Sequence, residues 1–173
     1  NVPPVALTIA GSDSGGGAGI QADFRTFSFH QVHGTSALTC VTAQNTTGVT
    51  RVDALPPEAV IAQIEAVTND IGVQAAKTGM LLNQSIIEAV AAHLTANPIA
   101  SLVVDPVMVS RTGDKLIDGG AIAALDYAQT LLPYALLSSP AQGYDITPFL
   151  PGQVAMQITG PWVLPALDAA GID

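Results

Sequence analysis

Short apolar segments alternate with longer stretches of helical periodicity, and each apolar segment ends on glycine or a polar residue. Val5 to Ala10 is a short apolar run suited to a buried strand, and it stops at a glycine-rich loop, Gly11 to Gly19. A helix is predicted from Gly19 to Phe29, with Ile20, Phe24, Phe27 and Ser28 on one face. Thr35 to Thr42, β-branched and apolar, is the next strand. Pro56-Pro57-Glu58 opens a helix, because proline is tolerated in a first turn and glutamate complements the helix dipole there. Val60, Ile64 and Val67 follow at helical spacing. Ala75 to Thr78 reads as a short buried strand. Asn83 is placed to cap a helix from Gln84 to about Ala96, with Ile86, Ile87, Val90 and Leu94 inward. Ser101 to Val104 is a fourth apolar strand, closed by Asp105-Pro106.

This alternation implies an α/β protein with a mainly parallel sheet and flanking helices. In such sheets ligands gather beyond the carboxyl ends of the strands. Those ends carry Gly11-Ser12-Asp13, Gln44-Asn45, Thr78-Gly79-Met80 and Asp105-Pro106-Val107-Met108. The recurrence of glycine and polar residues there is the case for a site. It comes from strand placement alone.

Composition narrows the classes of partner. The net charge of −9 argues against nucleic acid, whose phosphates call for clustered Lys and Arg. A nucleotide ligand stays open, because Mg²⁺ and backbone N–H groups can hold phosphates. No apolar run reaches the roughly 18 to 20 residues of a membrane helix, so no membrane partner is expected. The start, Asn1-Val2-Pro3-Pro4, has no basic or apolar leader, and the absence of an initiator Met suggests a processed or truncated start. The one cysteine, Cys40, is compatible with a cytoplasmic location. Charge is uneven along the chain. All five Lys and Arg lie between Arg25 and Lys115, and half of the 12 prolines fall from Pro133 onward.

The segment Gly11 to Asp23 is strand end, glycine loop and helix start. Glycines let a backbone approach a ligand closely, and a helix N-terminus offers unpaired N–H groups. It is not a Walker A loop, since no Gly-Lys-Ser/Thr follows. A tight turn accounts for the spacing equally well. Gln44 reads either as a ligand-facing amide or as a satisfied strand-end amide. Met80 and Val107 read as core, Asp105 as a turn residue, and Asp23 as solvated or paired, with Lys77 a candidate partner.

Five ordered blocks carry a resemblance. They are Thr8 to Asp23; Gly34-Thr35-Ser36-Ala37 with Val41-Thr42-Ala43-Gln44-Asn45-Thr46; Asp70-Ile71-Gly72; Ala76-Lys77-Thr78-Gly79-Met80-Leu81; and Val103-Val104-Asp105-Pro106-Val107-Met108-Val109. Over about residues 1–120 the chain resembles the hydroxymethylpyrimidine/phosphomethylpyrimidine kinases of thiamine biosynthesis. The resemblance implies a ribokinase-like fold and ATP- and Mg²⁺-dependent phosphorylation of 4-amino-5-hydroxymethyl-2-methylpyrimidine and then of its monophosphate. It places Gln44 on the aminopyrimidine edge and Ala18, Val41, Met80 and Val107 around the ring. It lets Asp23 help orient the substrate, and it puts Asp105 near the Mg²⁺–phosphate region. Thr112-Gly113-Asp114 matches the family's next loop.

The resemblance also defines an expected gap. In the family a Gly-Thr-Gly-Cys-type segment at a helix N-terminus forms the anion hole and holds the catalytic cysteine. Nothing after Ala121 matches it, so no catalytic residue and no metal ligand set is assigned. The expected fold is therefore truncated in its C-terminal half, with a sheet edge left open and a possible homodimer. Residues 121–173 read as a separate tail, similar to a fragment of a sugar ABC-transporter solute-binding protein through Gly160-Pro161-Trp162, joined near 118–121. Two alternatives stand beside an impaired kinase: a non-catalytic pyrimidine-binding fragment and a carbohydrate-binding receptor fragment.

Overall fold

The computed structural model describes residues 2–105 and 107, and the backbone of 136–137. The elements run β1 (Val5–Asp13), α1 (Gly19–Phe29), β2 (His33–Asn45), β3 (Gly48–Ala54), α2 (Pro57–Asp70), β4 (Ala75–Thr78), α3 (Gln84–Ala96), β5 (Ser101–Val104) and β6 (Leu136–Leu137). They build one sheet in the order β3-β2-β1-β4-β5-β6. β1 pairs in parallel with β2 and β4, β4 with β5, and β5 with β6, while β3 is antiparallel to β2.

The alternation of side chains along β1 sorts the layers. Leu7 and Ile9, both 0% exposed, join Ala37 and Ala76 in one apolar cluster with Val60 and Ile64 of α2 and Ile86, Ile87, Val90, Ala91 and Leu94 of α3. The opposite face carries Thr8 and Lys77, which are register partners, and takes α1. The sheet is thus covered on both faces, as parallel strands require. Asn83 caps α3 as expected, its Oδ1 accepting from Ile86 N at 3.0 Å.

The α/β class and the mainly parallel sheet stand as expected. Three details differ. β1 and β2 run further than their apolar cores, to Asp13 and Asn45, so they carry their polar ends as strand and not as loop. β3 was not expected. Its residues are half-buried or exposed, so it lacks the apolar signature, and it forms because Asn45 Oδ1 ties the hairpin turn, accepting from Thr47 N at 2.9 Å and Gly48 N at 3.2 Å. On α1 the inward position expected for Ser28 is exposed, and Asp23 is buried beside Phe27.

The open edge expected beyond β5 is paired. Val103 and Val104 align with Leu136 and Leu137 of β6. Among the described residues no helix is long and apolar enough to cross a membrane. Thr112-Gly113-Asp114, the junction near 118–121 and Trp162 lie outside the described residues.

Candidate active site

The carboxyl ends of β1, β2, β4 and β5 meet along one edge of the sheet. The first chemistry there is internal. Asp13, at the end of β1, is buried and turns its carboxylate into the glycine loop. Its Oδ1 accepts from Gly15 N at 2.8 Å, and its Oδ2 accepts from Gly17 N at 2.9 Å and Ala18 N at 2.8 Å. Gln21 Oε1 accepts from Asp13 N at 2.8 Å, tying the helix back to the strand. The loop amides that could cradle an outside anion are therefore engaged by the protein's own carboxylate. Successive N–H groups converging on one anion form the same kind of nest that holds phosphates elsewhere. Gly19 has φ +58°, and a Cβ there would collide with the Gly11 carbonyl, so only glycine fits.

The braced loop is fastened to the end of β2. Ser14 Oγ donates to the Gln44 carbonyl at 2.7 Å and accepts from Gln44 N at 2.7 Å. Thr42, buried beside it, donates through Oγ1 to the Ser12 carbonyl at 2.7 Å and lies 3.3 Å from Gln44 Oε1. The Gln44 side chain is half-buried, within reach of a ligand at this edge. Below it Gly11, Cys40 and Met80 come together. A Cβ on Gly11 would lie 2.6 Å from Cys40 Sγ and 2.9 Å from Met80 Cε, so the missing side chain makes room for both. Thr39 Oγ1 donates to the Met80 carbonyl at 2.8 Å and fixes that turn. Burial pushes the Cys40 thiol up, and the Thr39 hydroxyl offsets this in part. Cys40 is accordingly an inert packing residue.

The remaining expected positions share this edge. Ala18 is the N-cap residue of α1 and is exposed, Val41 on β2 is 45% exposed, and Met80 and Val107 are half-buried. Asp23 sits differently. It is 2% exposed, and its carboxylate meets Thr8 Oγ1 at 2.6 Å and Lys77 Nζ at 2.9 and 3.1 Å. The β1–β4 register explains this: Thr8 and Lys77 stand side by side on the face under α1, and Asp23 descends between them. Lys77 Nζ also lies 4.0 Å from Asp105 Oδ2, at the end of β5. Any influence of Asp23 on a bound molecule therefore passes through Lys77.

Among the described residues, Asp105 at the end of β5 is a carboxylate with access to this edge, its side chain 34% exposed. Among the described residues no group of three or more His, Cys, Asp or Glu could hold a metal ion. One carboxylate suits Mg²⁺ that keeps water and substrate phosphates as its other ligands, and does not suit an all-protein cage. Sequence reasoning placed Asp13 at a strand end without assigning its role, and it missed Ser14 and Thr42. Asp13 had a signal, a carboxylate followed at once by small residues free to turn their N–H groups back upon it. Ser14 and Thr42 act across a sequence separation of 30 residues and had none.

The family model described as phosphomethylpyrimidine kinase matches residues 13–142. The hydroxymethylpyrimidine/phosphomethylpyrimidine kinase of Synechococcus elongatus is 64% identical over 137 residues, covering 79% of this chain and 51% of the relative. The enzyme of the same name from Haemophilus influenzae is 52% identical over 134 residues, covering 78% and 49%. Among solved structures, the phosphomethylpyrimidine kinase of Clostridium difficile superposes with a TM-score of 0.67 at 47% identity, over 70% of this chain and 53% of that one. A Staphylococcus aureus pyridoxal kinase in complex with ADP gives a TM-score of 0.64 at 34% identity, over 78% and 47%. The chain spans about half the length of the curated relatives it matches. The similarity expected between residues 121–173 and a sugar-transporter binding protein finds no support here, and the family match itself crosses 120/121 and continues to residue 142. With the ordered strand-end blocks, the fold and the relatives in agreement, the chain belongs to the phosphomethylpyrimidine kinase family.

Proposed function

We propose that this chain forms the pyrimidine-binding side of an ATP-dependent kinase acting on 4-amino-5-hydroxymethyl-2-methylpyrimidine and its monophosphate in thiamine biosynthesis. The observation that carries this reading is the placement of Gln44. Its backbone is gripped by Ser14, its amide is half-buried, and it stands at the carboxyl edge of the sheet. A glutamine amide offers a donor and an acceptor side by side, matching a ring nitrogen and its neighbouring amino group. Ala18, Val41, Met80 and Val107 on the same edge supply apolar surface for the ring. The 64% identity to a relative of that name supports the substrate class.

Pyridoxal kinase relatives have been solved with ADP and with an ATP analogue, which supports ATP as the phosphoryl donor. Asp105 would face the Mg²⁺ that travels with the phosphates, with Lys77 set between it and Asp23. The 173 residues contain no Gly-Thr-Gly-Cys segment, so we expect this chain to bind the pyrimidine with little turnover. A homodimeric, cytoplasmic state is part of the same proposal.

Isothermal titration calorimetry with 4-amino-5-hydroxymethyl-2-methylpyrimidine tests the reading. Binding by the wild type, weakened at least tenfold by Gln44→Ala, is the expected result, since two hydrogen bonds of about 1 kcal/mol each are lost. Equal binding by both proteins would remove Gln44 from the site. A coupled ADP-release assay addresses the second part, and rapid phosphorylation by the chain would overturn the expectation of low turnover.

A further inference from the structure

We infer that Thr42 is a specificity-determining residue that sets which way round the Gln44 amide faces, and so selects a 4-aminopyrimidine over its 4-oxo counterpart. The inference rests on the reading of Gln44 above.

The Thr42 hydroxyl has one proton and two oxygen atoms within reach. Thr42 Oγ1 lies 2.7 Å from the Ser12 carbonyl and 3.3 Å from Gln44 Oε1. Both partner atoms are oxygens that accept, and a hydroxyl has a single proton to donate. The Ser12 carbonyl has no proton of its own and is the closer of the two. The Gln44 amide can exchange its oxygen and nitrogen by turning about its terminal bond, with almost no change of shape. Thr42 therefore donates to Ser12 and presents a lone pair to Gln44, which is satisfied when Nε2 is the amide atom that faces it. Thr42 is itself held, because it is 3% exposed and its hydroxyl bridges β2 to β1.

The backbone of Gln44 is equally constrained. Ser14 Oγ makes a two-way contact with the Gln44 carbonyl and N–H, each at 2.7 Å. What remains free is the side-chain amide, and Thr42 is the group placed to choose its orientation. That choice has chemical content. A 4-aminopyrimidine offers an accepting ring nitrogen next to a donating amino group. A 4-oxopyrimidine offers a donating ring N–H next to an accepting oxygen. In one ring pose the first needs the amide nitrogen and oxygen in one order and the second needs them reversed. A freely turning amide would accommodate either, whereas an amide held by Thr42 accommodates one.

The test is the ratio of dissociation constants for 4-amino-5-hydroxymethyl-2-methylpyrimidine and 5-hydroxymethyl-2-methylpyrimidin-4-one, measured by calorimetry on the full chain. Thr42→Val keeps the shape and removes the lone pair. It is expected to reduce the preference for the amino compound by about fivefold to tenfold, the worth of one hydrogen bond. Thr42→Ser should restore the wild-type ratio. Ser14→Ala should weaken both ligands alike and leave the ratio unchanged, because it loosens the backbone and not the amide. If Thr42→Val does not fold, Thr42→Ala gives the same readout. A ratio unchanged in the folded Thr42 variant, while Gln44→Ala loses binding, overturns this inference and spares the substrate reading. Undiminished binding of both compounds by Gln44→Ala removes Gln44 from the site and overturns this inference with it, whereas no binding of either compound by the wild type overturns the substrate reading.

Discussion

At the scale of single residues, the strand ends hold polar groups of two kinds, those turned outward and those buried. Gln44 and Asp105 are at least partly accessible. Thr78 is not. It closes β4, is 2% exposed, and its hydroxyl finds no hydrogen-bond partner among the described residues. A buried hydroxyl without a partner costs about 1–3 kcal/mol relative to one left in water. Thr78→Val exchanges that hydroxyl for a methyl in nearly the same volume, and is expected to raise stability by about 1 kcal/mol in a urea titration. A loss of similar size would mean that the hydroxyl is engaged. Sequence pattern cannot separate Thr78 from its neighbours, since both kinds of polar residue follow an apolar strand in the same way. Gln44 was legible because family resemblance pointed to it. The hydroxyls of Ser14 and Thr42 that hold it were not, because nothing local marks a serine or threonine whose partner lies 30 residues away.

At the scale of elements, the helices and the short buried strands were the legible part. α1, β4, α3 and β5 occupy the spans their apolar spacing indicates, because each buries one stripe against the sheet. β3 was illegible for the opposite reason, as an edge strand with little to bury. The contact between α1 and the sheet is where packing and charge act together. Asp23 and Lys77 have side chains 3% and 11% exposed, so both charges are held out of water and depend on each other. Removing one partner of such a pair costs about 3–5 kcal/mol, because the other charge stays buried without compensation, whereas replacing both with apolar side chains can be close to neutral. Asp23→Leu and Lys77→Met should each destabilise by that amount, and the double variant by clearly less than their sum. Chemical denaturation of the four proteins in a double-mutant cycle measures the coupling. Additive losses would show that α1 is held by its apolar contacts, Phe27 foremost, and that the ion pair is incidental. Asp105 Oδ2 lies 4.0 Å from Lys77 Nζ, so Lys77→Met also removes the charge that faces the end of β5.

At the scale of the whole molecule, the strand order decides where rigidity lies. Alternation in the sequence implies a parallel sheet, but not the order β3-β2-β1-β4-β5-β6, which depends on which distant strands pair. That order puts β1 at the centre, hydrogen-bonded on both sides, with α1 against one face and the α2–α3 cluster against the other. It leaves β3 attached along one side only, with every residue half-buried or exposed. Opening free energies follow such differences, from near zero at exposed edges to the global value in the centre. Amide hydrogen exchange should therefore be slowest at Leu7 and Ile9 of β1, and fastest, among the strands, in β3. Equal protection in β3 and β1 would mean that β3 is covered by something outside the described residues. The gradient has a consequence for the site. Gln44 sits at the end of β2 that runs into the β3 hairpin, with Val49 as its register partner, and so lies beside the exposed edge strand. Ser14 fastens it to the loop that leaves the rigid central strand. Gln44 N–H should thus exchange more slowly than the β3 amides it pairs with, and Ser14→Ala should erase that difference, since the hydroxyl is what joins Gln44 to the centre of the sheet.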